Sequence, residues 1–165
     1  RENRRRRVWR KTEMTESARE ILLKEVAFKN AIENFPEDYP ILYQIDFVED
    51  LMYPIRLGNM VSKHVMNFNE EVHGYTASCD YFVDRYVIPS EQEEMESRFS
   101  IKHIGNILSS KRSVEFVFHR KNESGIVEAV KILYKAIGGE TKVRYALMGL
   151  KPLAEVKPGE LVLNI

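Results

Sequence analysis

The sequence predicts an α+β fold: a long flanking helix, then an antiparallel sheet of five strands interrupted by a helical crossover. Three observations carry this. Apolar residues recur at three- and four-residue spacing from Thr12 to Phe35, the period of an amphipathic helix. From Ile41 the period becomes two, between residues 60 and 110 it returns to helical spacing, and from Val114 to Leu150 it is two again. Glycine, proline and short polar clusters punctuate the changes, as turns require.

In the first helix Ala18, Ile21, Leu22, Val26, Phe28 and Ile32 form the apolar stripe, and Pro36 ends it, because proline lacks the N–H and disfavours helix in the residue before it. Residues 12–36 thus read as an N-terminal helical unit. Met14, Ala18, Ile21, Glu25, Phe28, Ile32 and Phe35 also follow alternating 4,3 spacing. That suits a coiled-coil seam with Glu25 as its interruption, and a helix packed on its own domain satisfies the same pattern. Ahead of it, residues 1–11 (RENRRRRVWRK) read as a basic arm with seven Arg or Lys against one Glu. The whole chain is neutral, so an acidic body balances this arm. Only Trp9 accompanies the basic cluster, whereas nucleic-acid binding wants basic residues over a folded face with aromatics to stack bases. The arm reads as a solvated linker or a juxtamembrane stretch, and nucleic acid is not an expected partner.

Ile41, Tyr43, Ile45 and Phe47 alternate with Leu42, Gln44 and Asp46, predicting a strand with one face more buried and Asp46 turned to solvent. Val48-Glu49-Asp50 makes a short turn, Leu51–Leu57 a second strand, and Pro54 calls for an edge or a bulge. Gly58-Asn59 closes the hairpin. In the crossover, Tyr75 to Val87 places Tyr75, Cys79, Phe82, Val83 and Tyr86 along one side of a helix. Ser90 with Glu93 reads as a capping box, with Met95 and Phe99 as anchors of the helix it starts. Ser100 caps a last helix carrying Ile101, Ile104, Ile107 and Leu108. Strands over Val114–Arg120, Ile126–Ala136 and Val143–Leu150 then form a meander, with turns at 121–125 and 138–141. The tail, residues 154–165, favours extended structure after Pro158-Gly159.

The 44% hydrophobic content suffices for one core, and apolar runs are far shorter than a membrane span. No membrane is expected in this segment, and no signal peptide is visible. The single Cys79 excludes an intramolecular disulfide framework and suits a reducing, cytoplasmic setting.

The element order resembles that of PAS domains, which implies a five-stranded sheet of strand order 2-1-5-4-3. Three phrases add to it. Tyr43-Gln44-Ile45-Asp46 looks like the opening hairpin of PAS domains in bacterial signalling proteins. Tyr81-Phe82-Val83-Asp84-Arg85-Tyr86-Val87-Ile88-Pro89 with Glu91 resembles their stretch before a helix, with Ile88 in place of the usual His. Val143-Arg144-Tyr145-Ala146-Leu147-Met148-Gly149 resembles their final strand. The resemblance covers residues 38–153. It implies a sensor that acts on an attached or partner output domain, of the cyclic-di-GMP (GGDEF or EAL) or histidine kinase type. A homodimer through the N-terminal helix is also expected.

No catalytic or metal-ligating pattern stands in the sequence. His64, His73, His103 and His119 have no HxH, HxxxH or HExxH spacing, and one cysteine does not make a structural zinc site. The cofactor is unknown: His73 or His103 in the crossover could serve as an axial ligand for haem, and the residues around Cys79 do not match the reactive-cysteine phrase of flavin-binding members. The candidate ligand-binding residues are Tyr43, Phe82, Tyr86, Phe116, Phe118, Tyr134 and Tyr145, with Tyr81 nearby, on the sheet's inner face and the crossover. They line a pocket or fill a closed core. A cone-shaped isomerase-like cavity domain is the alternative, and it would need a buried carboxylate from Asp46, Asp80 or Asp84.

Overall fold

The computed structural model describes residues 2–57, 73–122 and 124–155, with side chains for 18–57, 74–122 and 124–153. The chain divides into two compact units, Arg1–Phe35 and Pro36–Ile165. The first is one helix, α1 (Glu2–Asn34). Its backbone runs straight through the residues expected to form a basic arm. Residues 2–34 contain no Gly or Pro, and Arg and Lys are good helix formers, so nothing local starts the helix later. It closes on Phe35 N–H donating to Ile32 C=O at 3.2 Å, one residue before Pro36.

The second unit holds β1 (Ile41–Asp46), β2 (Leu51–Arg56), β3 (His73–Gly74), α2 (Tyr75–Tyr86), a 3₁₀ turn (Pro89–Glu91), α3 (Gln92–Phe99), α4 (Ile101–Lys111), β4 (Ser113–Lys121), β5 (Val127–Ile137) and β6 (Tyr145–Glu155). The strands form one sheet in the order β3-β2-β1-β6-β5-β4, and every pair is antiparallel. Without the two-residue β3 this is the order 2-1-5-4-3, so the fold is the PAS-like sheet with helical crossover. The sixth strand was not foreseen, since two residues carry no periodicity. Residues 58–72, with Gly58-Asn59 and His64, and residues 156–165 of the tail lie outside the described residues, as does Arg1. The last strand extends to Glu155, into what reads by sequence as tail.

Alternation sets the inner face. Ile41, Tyr43 and Ile45 of β1, Ala146, Met148 and Leu150 of β6, Val130, Ile132 and Tyr134 of β5, and Phe116 and Phe118 of β4 join one core. Across from them stand Tyr75, Cys79, Phe82 and Val83 of α2, Met95 and Phe99 of α3, and Ile104 and Leu108 of α4. The β1–β2 register shifts between Leu42 and Tyr43, opposite Pro54, where proline's missing donor leaves the ladder irregular.

Local polar groups hold the turns. Ser100 Oγ accepts from the His103 N–H at 3.2 Å, the expected cap of α4. The capping box at Ser90 and Glu93 is not formed. The chain enters α3 through the 3₁₀ turn, with Pro89 in its first turn and Glu91 at the α3 N-cap making no side-chain cap. Nor is Asp46 a solvent-facing strand residue, for it is 4% exposed. Its carboxylate accepts from the N–H groups of Val48 and Glu49 at 3.0 and 3.1 Å and faces the Arg144 guanidinium at 3.4 Å. The last residue of the turn, Asp50, has φ 53°, a left-handed conformation that Asp tolerates better than most. From there its carbonyl accepts from Tyr75 N–H and its carboxylate from Thr76 N–H, at 3.0 and 2.8 Å. The hairpin turn thereby caps α2, whose own N-cap, Gly74, has no side chain to do so.

Asp46→Ala leaves two turn amides and a guanidinium without their acceptor. It should lower unfolding stability by about 1–3 kcal/mol, measured by urea denaturation. An unchanged midpoint would show that water replaces the carboxylate at no cost.

Candidate functional site

The inner face is built from rings. Phe82 of α2 lies 5.5 Å from Tyr86 and 5.6 Å from Phe118, centroid to centroid. Phe99 of α3 meets Phe116 at 5.6 Å and Phe118 at 5.8 Å, both edge to face. Phe116 stacks on Tyr134 at 6.2 Å, and Phe47 meets Tyr75 edge-on at 6.2 Å. These are the separations and angles that ring quadrupoles favour.

Within this apolar surround two hydroxyls find each other. Tyr75 Oη donates to the Phe99 carbonyl at 2.7 Å and lies 2.7 Å from Tyr134 Oη. Tyr75 has one proton and gives it to Phe99, so Tyr134 is the donor in the second bond. Burial, foremost, pushes both phenols well above the ordinary tyrosine range, with the nearby Cys79 thiol adding to it. Burial likewise pushes the Cys79 thiol up, opposed by a hydrogen bond with Tyr75. A thiol held neutral in this way is a small apolar core residue and a poor nucleophile.

Of the residues predicted from sequence, Tyr43, Phe82, Phe116, Phe118 and Tyr134 are buried in this core, and Tyr86 is half-buried against it. Tyr145 is not among them. Ala146, Met148 and Leu150 face inward, so two-residue alternation turns Tyr145 to the opposite face. There the Arg144 guanidinium lies 5.0 Å from its ring. Tyr81 is also misplaced: it is 48% exposed, with Arg85 at 5.0 Å. Tyr75 and Phe99 belong to the site and were not among the candidates. Both stood in the helical stripes, but only the fold shows that they meet across 24 residues of chain.

A second polar cluster lies at the β4 edge. Glu91 of the 3₁₀ turn accepts from His119 N–H at 2.7 Å through Oε1, and its Oε2 lies 2.8 Å from His119 Nδ1. His119 C=O accepts from Ile88 N–H at 3.1 Å, and Val87 bridges to Arg120. Residues 87–91 thus serve backbone groups near the end of a strand that, among the described residues, is the edge of the sheet. Beside them Arg120, 3% exposed, pairs with Glu128. The carboxylates proposed for an isomerase-like cavity do not gather. Asp46 is in its turn, and Asp80 and Asp84 are exposed. His103 is exposed on α4, and among the described residues no three His, Cys, Asp or Glu side chains stand close enough to hold a metal ion. No described helix is long and apolar enough to cross a membrane.

No family model and no curated protein matches the sequence. Solved structures do. The Rhodobacter sphaeroides LOV protein is 15% identical, with 84% of this chain and 73% of that one covered at a TM-score of 0.49. The PAS domain of a Colwellia psychrerythraea protein is 11% identical, over 76% of this chain and 96% of that one, at 0.45. A sensory box histidine kinase/response regulator from Burkholderia thailandensis is 8% identical, over 68% and 76%, at 0.42. The fold assignment rests on the strand order itself.

Two outcomes are expected. Glu91→Ala should cost about 1–3 kcal/mol by leaving a buried amide and imidazole unpaired, read by thermal and urea unfolding, and a loss within error would argue that the cluster is ornamental. Tyr75 and Tyr134, with Tyr43, and Tyr39 at about 12, all have folded values raised above the ordinary 10, burial being the largest cause in each. Their stabilising share is complete below pH 10 and is lost as pH rises through the folded values. Tyrosinate absorbance should therefore show these four titrating late and together with alkaline unfolding. Early titration of all eight tyrosines would contradict the core as described.

Proposed function

We propose that the chain is a sensory or regulatory PAS-like module, not itself catalytic. It takes up a small ligand or partner and modulates an attached output domain of the cyclic-di-GMP or histidine kinase type. The observation that carries this reading is the join between crossover and sheet. The bonds from Tyr134 to Tyr75 and from Tyr75 to Phe99 C=O tie β5, α2 and α3 into one body. A molecule that lodges among Phe82, Tyr86, Phe116, Phe118, Tyr43 and Tyr134 therefore displaces sheet and helices as a unit. A ligand that favours one of two such arrangements shifts their populations by its differential affinity. The buried carboxylates and the buried imidazole support a non-catalytic reading. Asp46 and Glu91 are engaged with backbone amides, and His119 with Glu91.

In this reading α1 is the lever and a second copy of the chain is its partner. Ile21, Leu22, Leu23 and Val26 are 60%, 59%, 63% and 44% exposed, a cluster of large aliphatics larger than the scattered ones of an ordinary surface. A two-helix seam formed with a second α1 would cover it. A cytoplasmic setting in a bacterial cell suits the free, reduced Cys79.

Light scattering on the full chain should give a dimer, and deletion of residues 2–35 or the pair Leu22→Glu and Val26→Glu should give a monomer. An unchanged mass in both would remove α1 from the interface. A fragment screen read by amide shifts should give hits clustered on Phe82, Phe116, Phe118 and Tyr134. Hits confined to other surfaces would count against the inner face as the sensing site.

A further inference from the structure

The aromatic inner face carries polar groups, and they are neutral. Among the described residues the buried charged or polar side chains are Asp46, Glu91, His119 and Arg120. Each already has a partner: Asp46 its turn amides and Arg144, Glu91 and His119 one another, and Arg120 the Glu128 carboxylate. The Arg98 guanidinium lies 5.7 Å from the centre of the Phe116 ring, but it is 40% exposed and paired with Glu94. A charged guest would give up its hydration here and find no spare counter-charge among these groups.

The polar groups within the ring cluster are the hydroxyls of Tyr43, Tyr75 and Tyr134, the Cys79 thiol and the Phe99 carbonyl. Burial, the largest cause in each, raises the three phenols and the thiol above their ordinary values, so all four are protonated at neutral pH. One of these protons has a separate use. Tyr134 gives its proton to Tyr75, and Tyr75 gives its own to the Phe99 carbonyl. Phe99 is the last residue of α3, where a helix supplies the carbonyl with no N–H of its own. Parting Tyr75 from Phe99 therefore frees one donor and one acceptor that face each other at 2.7 Å, and the bond from Tyr134 to Tyr75 can stay.

We propose that the guest of the inner face is a small uncharged ring compound with a hydrogen-bond donor beside an acceptor, as on the edge of a lactam, seated between Tyr75 Oη and the Phe99 carbonyl. Tyr75 then donates to the guest's acceptor, and the guest's donor serves the carbonyl. The flat body of the guest lies against phenyl rings, which accept it by stacking or edge contact. This ligand class rests on the reading of the inner face as the sensing site. A hydrocarbon fills the same space but meets neither polar group, and a guest with an acceptor alone leaves the carbonyl unpaired.

The test titrates the full chain with five probes and reads the amide shifts of Phe82, Phe116, Phe118 and Tyr134. The probes are α-pyridone (donor and acceptor), its N-methyl derivative (acceptor only), pyrrole (donor only), toluene (neither) and benzoate (charged). α-Pyridone should bind tightest, with the N-methyl derivative and pyrrole each weaker by about five- to hundredfold, the effect of one buried group left unpaired. Tyr75→Phe should erase the advantage of α-pyridone over pyrrole, because no hydroxyl remains for the acceptor. Tyr134→Phe leaves the Tyr75 proton in place and should keep that advantage. If Tyr75→Phe fails to fold by circular dichroism, the carbonyl carbon resonance of Phe99 in the wild-type chain decides. It should move toward its unbonded position with the N-methyl derivative and hold still with α-pyridone. Inner-face shifts without a preference for α-pyridone, tighter binding of benzoate, or a preference that survives Tyr75→Phe overturns the ligand class and leaves the sensing site standing. Absence of inner-face shifts from every probe removes both.

Discussion

A hydroxyl buried among phenyl rings must find a partner, because an unpaired one costs about 1–3 kcal/mol. Tyr134 on β5 and Tyr75 on α2 meet that demand with each other, and Tyr75 passes its own proton to the carbonyl of Phe99 at the end of α3. The consequence is directional. Ring contacts prefer certain angles but no single position along the sheet, whereas a chain of two hydrogen bonds at 2.7 Å fixes where the crossover sits on the sheet. The edge-to-face contacts among Phe82, Phe99, Phe116 and Phe118 follow from that placement.

The same demand explains the periphery. Three carboxylates at turns and at the sheet edge are spent on backbone groups that secondary structure leaves over. Asp46 takes two turn amides, the Asp50 carboxylate takes the Thr76 amide in the first turn of α2, and Glu91 takes the His119 amide near the end of the edge strand β4. The cap that Ser90 and Glu93 do not form is explained by the chain's route. With Pro89 opening a 3₁₀ turn one step earlier, Glu91 is carried inward to His119, and Ser90 stays exposed. Local signals named a helix start correctly. The tertiary need of the edge strand β4, 28 residues further on, decided how that start was built.

Strand positions and faces were legible because their period is fixed by the pleat. Ile41, Tyr43 and Ile45 could be placed on one face from spacing alone, and Phe116 and Phe118 likewise. Tyr145 failed for an instructive reason: being aromatic and next to the core strand residues outweighed its parity, and parity was the physical constraint. Tyr75 was seen as part of a stripe but not as a site residue, because its partners Phe99 and Tyr134 lie 24 and 59 residues away. Glu91 stood only in a phrase before a helix start, and His119 carried no motif. Their pairing spans 28 residues and depends on an edge strand lacking a neighbour, a property of the sheet and of no single segment.

The paired hydroxyls also constrain what the inner face can respond to. A wholly apolar guest gains only by area and must part rings that already touch. A guest with an acceptor can do more, because it can take the Tyr75 proton from the Phe99 carbonyl. That carbonyl lies at the α3–α4 corner, where Ser100 N–H donates to Ser97 C=O and Ser100 Oγ caps α4. The exchange leaves that carbonyl without its donor, a cost of about 1–3 kcal/mol, so the guest that gains most also carries a donor for it. What it changes is the tether, since the freed carbonyl no longer holds α3 to α2 and β5. On the proposed sensor reading, a ligand of this kind would convert its differential affinity into movement of the crossover.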